Sequence, residues 1–363
     1  MILANMITSK LIILPLLAAT ITFLMLPYVR RLSSRYGAID IPNHRKLHKY
    51  AIPSSGGLAI FFGFLFAALF FNRPTPEILG YLIGATIITA MGLLDDIFEF
   101  PAATKFFGQI LAALFVIYSG VRVEFITDIV NNHGHTIDLA FLSLPFTFFW
   151  IIGITNAINF IDGLDGLAGG VSGIAAWTLG FVALATGRYD AGVLAFTLGA
   201  AAFAFLPYNF SEKRKIFMGD SGSNFLGFSL AVFSIMGMVK IATAFTMLLP
   251  MIILAIPIFD TLFAIVRRIA AHKSPFEPDV SHLHHRIHAL GFSHRQTAFI
   301  IYTISLLLAA IAILSLSLSG KNSLILLVAA AVMVVIAAWR LGLFRVKTEL
   351  DDNNNLVRRT KQC

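Results

Sequence analysis

The sequence predicts an all-α polytopic membrane protein with about eleven transmembrane helices, and three observations carry that expectation. Hydrophobic residues make up 58% of the chain and charged residues 13%, whereas soluble domains sit near 45–50% and about 25%. Apolar runs of roughly 20 residues, the length that crosses a bilayer's hydrocarbon, recur between short polar breaks. Lys and Arg gather in alternate breaks, the pattern of cytoplasmic loops. The 13 prolines and 27 glycines are spread through the apolar runs rather than pooled in a linker. One membrane domain over residues 1–345 is therefore expected, followed by a polar tail at 346–363.

The first run, near 11–29, has no basic segment ahead of it and no small-residue cleavage site behind it; Arg30, Arg31 and Arg35 follow instead. It reads as a retained span rather than a signal peptide. Further runs lie near 56–72, 78–94, 106–120, 139–158, 168–186, 191–207, 222–239, 244–266, 298–318 and 322–341. Pro250 and Pro257 should bend the ninth, opening a groove for a lipid tail or serving as packing kinks. Between the fourth and fifth runs, Val121, Val123 and Phe125 alternate ahead of a polar Asn131–His135 turn, which suits a short hairpin. An odd number of spans puts the termini on opposite sides. With the N-terminus outside, 21 of the 27 Lys and Arg residues fall on the inner side, so the C-terminus is expected in the cytoplasm and the hairpin in the periplasm. Asp351 to Asn355 read as a solvated, disordered tail.

The net charge of +8 is explained by this topology and does not call for nucleic acid, because the bases alternate with apolar spans and form no groove-binding face. The single cysteine, Cys363, leaves no disulfide framework and no Cys-based metal site. No internal repeat is visible, which weakens a reading as an inverted-repeat transporter.

Only 19 acidic residues are present, and a carboxylate at mid-bilayer costs about 2.5–3.5 kcal/mol even on the lenient scale, so their positions carry information. Asp95 and Asp96 close the third span, Asp162 and Asp165 follow the fifth, and Asp220 opens the eighth. All fall on the inner face. Adjacent carboxylates such as Asp95 and Asp96 are comfortable beside a cation, a metal or open water; an exposed helix-end acid pair is the bland alternative. The spacing of Asn159, Asp162 and Asp165 would set three oxygen-bearing side chains on about one helix face, suited to a hard cation or to polar helix–helix packing. Gly219 to Ser223 precede a span, so their N–H groups should face an anion while Asp220 binds Mg²⁺, unless the stretch is simply a helix cap. His282, His284, His285 and Arg286 form the densest polar cluster, with phosphate as its natural target; zinc finds no supporting Cys or helical His pairing. Lys105 and Lys49 read either as phosphate contacts or as interfacial anchors. Asp260, deep in the ninth span, is either functional or paired to a neighbour.

Five motifs occur together: Gly-x-Leu-Asp-Asp at 92–96, Asn-x-x-Asn-x-x-Asp-Gly-x-Asp-Gly at 156–166, Phe-Met-Gly-Asp-x-Gly-Ser at 217–223, Ser-Pro-Phe-x-Pro-Asp at 274–279 and His-x-His-His at 282–285. In this order they resemble the polyprenyl-phosphate N-acetylhexosamine-1-phosphate transferase family, most closely its bacterial undecaprenyl-phosphate N-acetylglucosamine-1-phosphate branch. The resemblance spans nearly the whole chain. It implies ten or eleven helices in the cell inner membrane, a cytoplasmic active site, and transfer of sugar-1-phosphate from a UDP-sugar donor to a polyprenyl phosphate acceptor, with UMP released and a cell-surface glycan begun. It further implies dependence on Mg²⁺ or Mn²⁺, with Asp220 and Asn159 as metal contacts and Asp95 and Asp96 close to the metal and the reacting phosphates. Asp162 and Asp165 would shape the nucleotide site, Asn209 and Phe217 would meet the uracil, and Lys105 a phosphate. His282, His284, His285 and Arg286 would hold diphosphate and sugar, although Arg286 stands where some relatives carry an apolar residue, and Lys49 differs from close relatives. A homodimer is compatible with this reading.

Direct attack by the lipid phosphate, assisted by Asp95 or Asp96, is the expected mechanism, with a covalent aspartyl-phosphate as its rival. Among donors, UDP-N-acetylglucosamine is favoured over UDP-N-acetylgalactosamine, another UDP-hexosamine or a UDP-muramoyl-peptide, because the Ser274 to Asp279 lead-in resembles the simple amino-sugar branch. A proton-coupled transporter is the competitor from another class.

Overall fold

A computed structural model describes residues 2–42, 50–70, 74–127, 136–237, 247–272 and 282–343. Among the described residues, each expected apolar run overlaps helix. In chain order these are α1 (Ile2–Tyr36), α2 (Gly57–Ala68), α3 (Pro76–Phe98), α4 (Ala102–Tyr118), α5 (Ser143–Ile161), α6 (Leu167–Ala185), α7 (Tyr189–Asn209), α8 (Gly219–Met236), the pair α9 (Leu248–Ile253) and α10 (Ala255–Ala270), then α11 (Leu283–Ala289), α12 (His294–Ser315) and α13 (Gly320–Arg340). The chain is thus an all-α membrane protein. Seven helices among the described residues are long and apolar enough to cross a bilayer: α1, α3, α5, α6, α7, α12 and α13. The other expected spans differ for local reasons. α2 and α4 are shorter, at 12 and 17 residues, and α8 opens on a polar Gly-Asp-Ser-Gly-Ser-Asn turn.

The ninth run is broken rather than bent. α9 stops at Ile253 and α10 starts at Ala255, with Leu254 at φ −99° and ψ 20° between them. Pro257 has no N–H to continue the ladder, and a helix's first turn accommodates a proline at no such loss; the break places Pro257 there, and Pro250 occupies the same place in α9. α1, by contrast, carries Pro15 and Pro27 without interruption, and at 35 residues it would extend about 52 Å.

Among the described residues there are also two antiparallel ribbons. β1 (Ile39–Asp40) pairs with β2 (Ile52–Pro53). β3 (Phe125–Thr127) pairs with β4 (Thr136–Asp138), with Ile126 opposite Ile137, where the alternating pattern called for a hairpin; its Asn131–His135 turn lies outside the described residues. Lys49, the Ser274 to Asp279 motif and the polar tail lie outside them too.

α8 is the axis of the bundle. From Ser221 to Ile235 every residue is buried, against α2, α3, α5, α6 and α7. Its first turn can be this crowded because backbone meets backbone without side chains between. A Cβ on Gly57 of α2 would lie 2.0 Å from the Gly222 Cα, and one on Gly92 of α3 would lie 2.6 Å from the Asp220 carbonyl. Such small-residue contacts are how helices pack where lipid supplies no hydrophobic drive between them. The end of α3, the start of α4, the end of α5 and the start of α8 therefore meet at one end of the bundle, with β3 and β4 at the opposite ends of α4 and α5.

Candidate active site

The sequence places Asp95 and Asp96 next to each other, and the fold separates their partners. Asp95, buried near the end of α3, accepts the Phe100 N–H at 2.8 Å and pairs with Lys105 Nζ at 2.6 Å. Asp96 reaches α8 instead, taking the Asp220 N–H on Oδ1 at 2.7 Å and the Ser221 hydroxyl on Oδ2 at 2.8 Å. Each carboxylate answers a different positive group, which is how two neighbouring acids are kept together. The N–H groups at the start of α8 were expected to face a bound anion. They face the protein's own Asp96, which fills the role of helix cap from a neighbouring helix. Gly219, at φ 74°, allows this approach, since a Cβ there would lie 2.4 Å from Asp96 Oδ2.

Asp220 is held from both sides. Lys105 Nζ approaches its Oδ2 at 3.1 Å, and Asn159 Nδ2 donates to its Oδ1 at 3.0 Å and to Ser223 Oγ at 2.8 Å. α3, α4, α5 and α8 thus converge on a single carboxylate.

The expectation that Asn159, Asp162 and Asp165 share one helix face is corrected. α5 ends at Ile161, Asp162 has left helical geometry at φ −77° and ψ 48°, and Gly166 turns the chain at φ 76° into α6. The physical reason is the pair of glycines at 163 and 166, which favour a turn over continued helix. Phe210 packs where a Gly166 Cβ would be, and Tyr302 donates its hydroxyl to the Gly166 carbonyl at 2.5 Å. Asp165 consequently points to Lys215, at 2.6 Å. Asp162 is half-buried with Asp220, Asp96 and Asp165 as its charged neighbours; desolvation, then those three charges, push its carboxyl up to about 8.

Asn209 is buried and serves the backbone: its amide donates to the Ile216 carbonyl at 2.9 Å, and its oxygen accepts the Gly166 N–H. It pins the loop after α7 to the turn before α6. Phe217, expected beside it at the uracil, is half-buried with Lys215 Nζ 5.6 Å from its ring centroid. Its backbone bridges Pro53 and Gly56, each at 2.8 Å.

The histidine cluster is brought to the same turn. His282 precedes α11 and places Nδ1 2.9 Å from Asp260 Oδ2, while Asp260 Oδ1 accepts the Leu283 N–H at 2.7 Å. Asp260 is therefore paired, and it is spent on orienting the start of α11. His284 lies with its ring parallel to His282, at 5.9 Å, and 4.2 Å from His285. It packs on Gly163, where a Cβ would meet Nε2 at 2.8 Å. Burial first, then the neighbouring His285, lowers its pKa to about 3; it is neutral near pH 7. His284 is 2% exposed, and among the described residues neither ring nitrogen has a hydrogen-bond partner, a cost that an incoming ligand would relieve. His285 and Arg286 are half-buried beside it.

Lys215, Ser221 and Ser223 were missed as individual site residues from sequence. Lys215 sits in a Lys-Arg-Lys run that reads as a topology signal, and the serines look like ordinary turn residues. Among the described residues, no three His, Cys, Asp or Glu side chains gather as a metal-holding group.

A protein-family model described as glycosyl transferase family 4 matches residues 78–238, which span most of α3 to α8 and stop short of the His282 to His285 cluster. The chain is 38% identical, over 93% of its length and 94% of the relative's, to a probable undecaprenyl-phosphate N-acetylglucosaminyl 1-phosphate transferase of Bacillus subtilis. It is 33% identical to a decaprenyl-phosphate N-acetylglucosaminephosphotransferase of Mycobacterium tuberculosis, over 81% of this chain and 79% of that one. It is also 27% identical to an undecaprenyl-phosphate α-N-acetylglucosaminyl 1-phosphate transferase of Escherichia coli K12, over 81% of both chains.

Proposed function

Given that the chain belongs to glycosyl transferase family 4 and is a polyprenyl-phosphate hexosamine-1-phosphate transferase, we propose that its donor is UDP-N-acetylglucosamine, its acceptor undecaprenyl phosphate and its leaving product UMP. The observation that carries this reading is the convergence of Asp95, Asp96, Lys105 and Asn159 on Asp220 at one end of the bundle. The donor follows the relatives, whose names share N-acetylglucosamine while differing between undecaprenyl and decaprenyl carriers.

The chemistry joins two anions, so positive charge has to be supplied where they meet. Five carboxylates, Asp95, Asp96, Asp162, Asp165 and Asp220, stand against Lys105 and Lys215. The donor atoms are oxygens, and the charges that raise the Asp162 carboxyl, those of Asp220, Asp96 and Asp165, share its sign, features that fit a hard divalent cation. A trio of protein ligands is not required, since Mg²⁺ keeps several waters and takes one or two carboxylates together with substrate phosphates. Asp220 would hold Mg²⁺ or Mn²⁺, with Asp95, Asp96 and the Asn159 carbonyl within the same cluster. When bound, the ion neutralises diphosphate charge and eases departure of UMP.

This chain's own residues do the rest. Lys105, shared by Asp95 and Asp220, would present its Nζ to a phosphate oxygen of the donor. His284, neutral and without a partner among the described residues, offers one N–H to a phosphoryl or sugar oxygen. Asp165 and Lys215 flank the face where Phe217 would stack on the uracil. An oxygen of the lipid phosphate attacks the β-phosphorus of the donor, the bond from that phosphorus to the bridging oxygen breaks, and the electron pair leaves with UMP. The lipid tail stays in the bilayer throughout. On this reading the face lies in the cytoplasm and the chain in the cell inner membrane, an orientation that the Lys and Arg bias of the loops supports.

The test is UMP release by the purified protein in detergent from UDP-N-acetylglucosamine with undecaprenyl phosphate, with Mg²⁺ and with chelator. Release that needs both lipid and metal is the expected result. Release only from another UDP-sugar would move the donor, and silence with every donor in folded protein would overturn the reading.

A further inference from the structure

Three uncharged carboxamides meet one helical turn beneath the site. Gln109 follows Lys105 by four residues on α4, Asn156 precedes Asn159 by three on α5, and Asn224 follows Asp220 by four on α8. Residues three or four apart share a helix face, so each carboxamide lies under a side chain that converges on the Asp220 carboxylate.

Their bonds form one network. Gln109 Nε2 donates to Asn156 Oδ1 at 3.2 Å and to Asn224 Oδ1 at 3.3 Å, and Asn156 Nδ2 returns a bond to Gln109 Oε1 at 2.8 Å. Asn156 Nδ2 also donates to the Ile152 carbonyl at 2.8 Å, and Asn224 Nδ2 to the carbonyl of Asp220 itself at 2.9 Å. Gln109 and Asn224 are buried and Asn156 is half-buried. Both hydrogens of the Gln109 and Asn156 amides are engaged, so flipping either side chain would set N–H against N–H; the arrangement has one solution.

Ordinary polar glue between membrane helices needs none of this register. Here each member is in step with a site residue, and the network adds no charge beneath a cluster already rich in carboxylates. Helix ends fray, and four of the site's helices present their ends there.

We propose that Gln109, Asn156 and Asn224 are positioning residues that fix the rotation and height of α4, α5 and α8, and so hold Lys105 and Asn159 on Asp220. This rests on the transferase reading, because positioning is judged by turnover. A misplacement of about 1 Å at a reacting centre can lower rate on the order of a hundredfold.

The full chain in detergent supplies the test, with Gln109→Met and Asn224→Leu compared singly and together. Expected is a ten- to hundredfold fall in kcat for UMP release in each single variant, as order-of-magnitude values, with donor KM changed less than about threefold and little change in thermal midpoint. The double variant should be no worse than the poorer single, because both act through one network. Hydrogen exchange should also quicken at the backbone amides of 219–224 while the rest of α8 stays protected. Parent-like kcat in the folded single variants, or losses that multiply in the double, would overturn the proposal. A silent parent protein would instead count against the transferase reading, and exchange at 219–224 would still test the clamp: unchanged exchange overturns it.

Discussion

Asp96 lays its carboxylate across the first turn of α8, where the N–H of Asp220 meets Oδ1 at 2.7 Å. One acid thus holds the backbone of another, while the side chain of the second is held by Lys105 and Asn159. The relationship couples α3 to α8 and makes the helix start, usually a place for a foreign anion, part of the protein's own scaffold.

Gly219→Ala tests that coupling. The added Cβ would collide with Asp96 Oδ2, and the backbone at φ 74° would cost an L-residue about 1–2 kcal/mol. A lower thermal midpoint and at least a roughly tenfold loss of UMP release are expected, since the donor for a charge cluster would be displaced. A variant unchanged in both would show that Asp96 need not approach so closely.

Asp220→Asn should separate chemistry from folding. The substitution keeps the shape and the bond to Asp96, which is made by backbone, but removes the charge that Lys105 and a cation would share. Turnover should fall by about a hundredfold or more, in the range found for removing one electrostatic contact to a transition state, while the thermal midpoint moves little. Near-normal turnover would remove Asp220 from the metal assignment.

Asp260 and His282 form a second pair, buried and 2.9 Å apart. Deleting one partner of a buried hydrogen-bonded pair leaves the other unsatisfied, at about 1–3 kcal/mol, whereas replacing both by apolar groups can be near neutral. Asp260→Leu alone should therefore lower the thermal midpoint more than Asp260→Leu combined with His282→Leu. Equal or additive losses in the double variant would mean that the pair contributes nothing as a pair.

Much of this was legible in the sequence because membrane helices announce themselves by apolar length and because acids are rare enough in them to be read one at a time. Asp95, Asp96, Asp162, Asp165 and Asp220 all reach one end of the bundle, as their places at span ends suggested. What could not be read was how the chain leaves a helix. The Asp162 to Gly166 turn looks helical by spacing, and only the glycines and the Phe210 ring packed on Gly166 show why α5 stops. The break at Leu254 was visible as prolines, yet whether a proline bends or breaks a helix depends on where the first turn begins. The partners of Asp96, Asp165 and Asp260 lie 124, 50 and 22 residues away, separations at which periodicity carries no signal.

The carboxyl of Asp162 gives a pH dependence with a definite sign. Raised from an ordinary 3.8 to about 8, it keeps in the folded protein a proton that the unfolded chain has released. Its contribution to stability is therefore present at low pH and declines as pH rises from about 4 to about 8. In metal-free protein, the thermal midpoint of Asp162→Asn should gain on the parent across that window, and Mg²⁺ should narrow the gap by stabilising the ionised parent. A difference independent of pH would mean that Asp162 titrates normally.

The fate of the donor's β-phosphate tests the reaction class most directly. With UDP-N-acetylglucosamine labelled with ³²P at the β-phosphorus, undecaprenyl phosphate and Mg²⁺, sugar-1-phosphate transfer should carry the label into the organic phase with the lipid and leave unlabelled UMP in water. Label that stays in water as UDP, with sugar alone on the lipid, would contradict it.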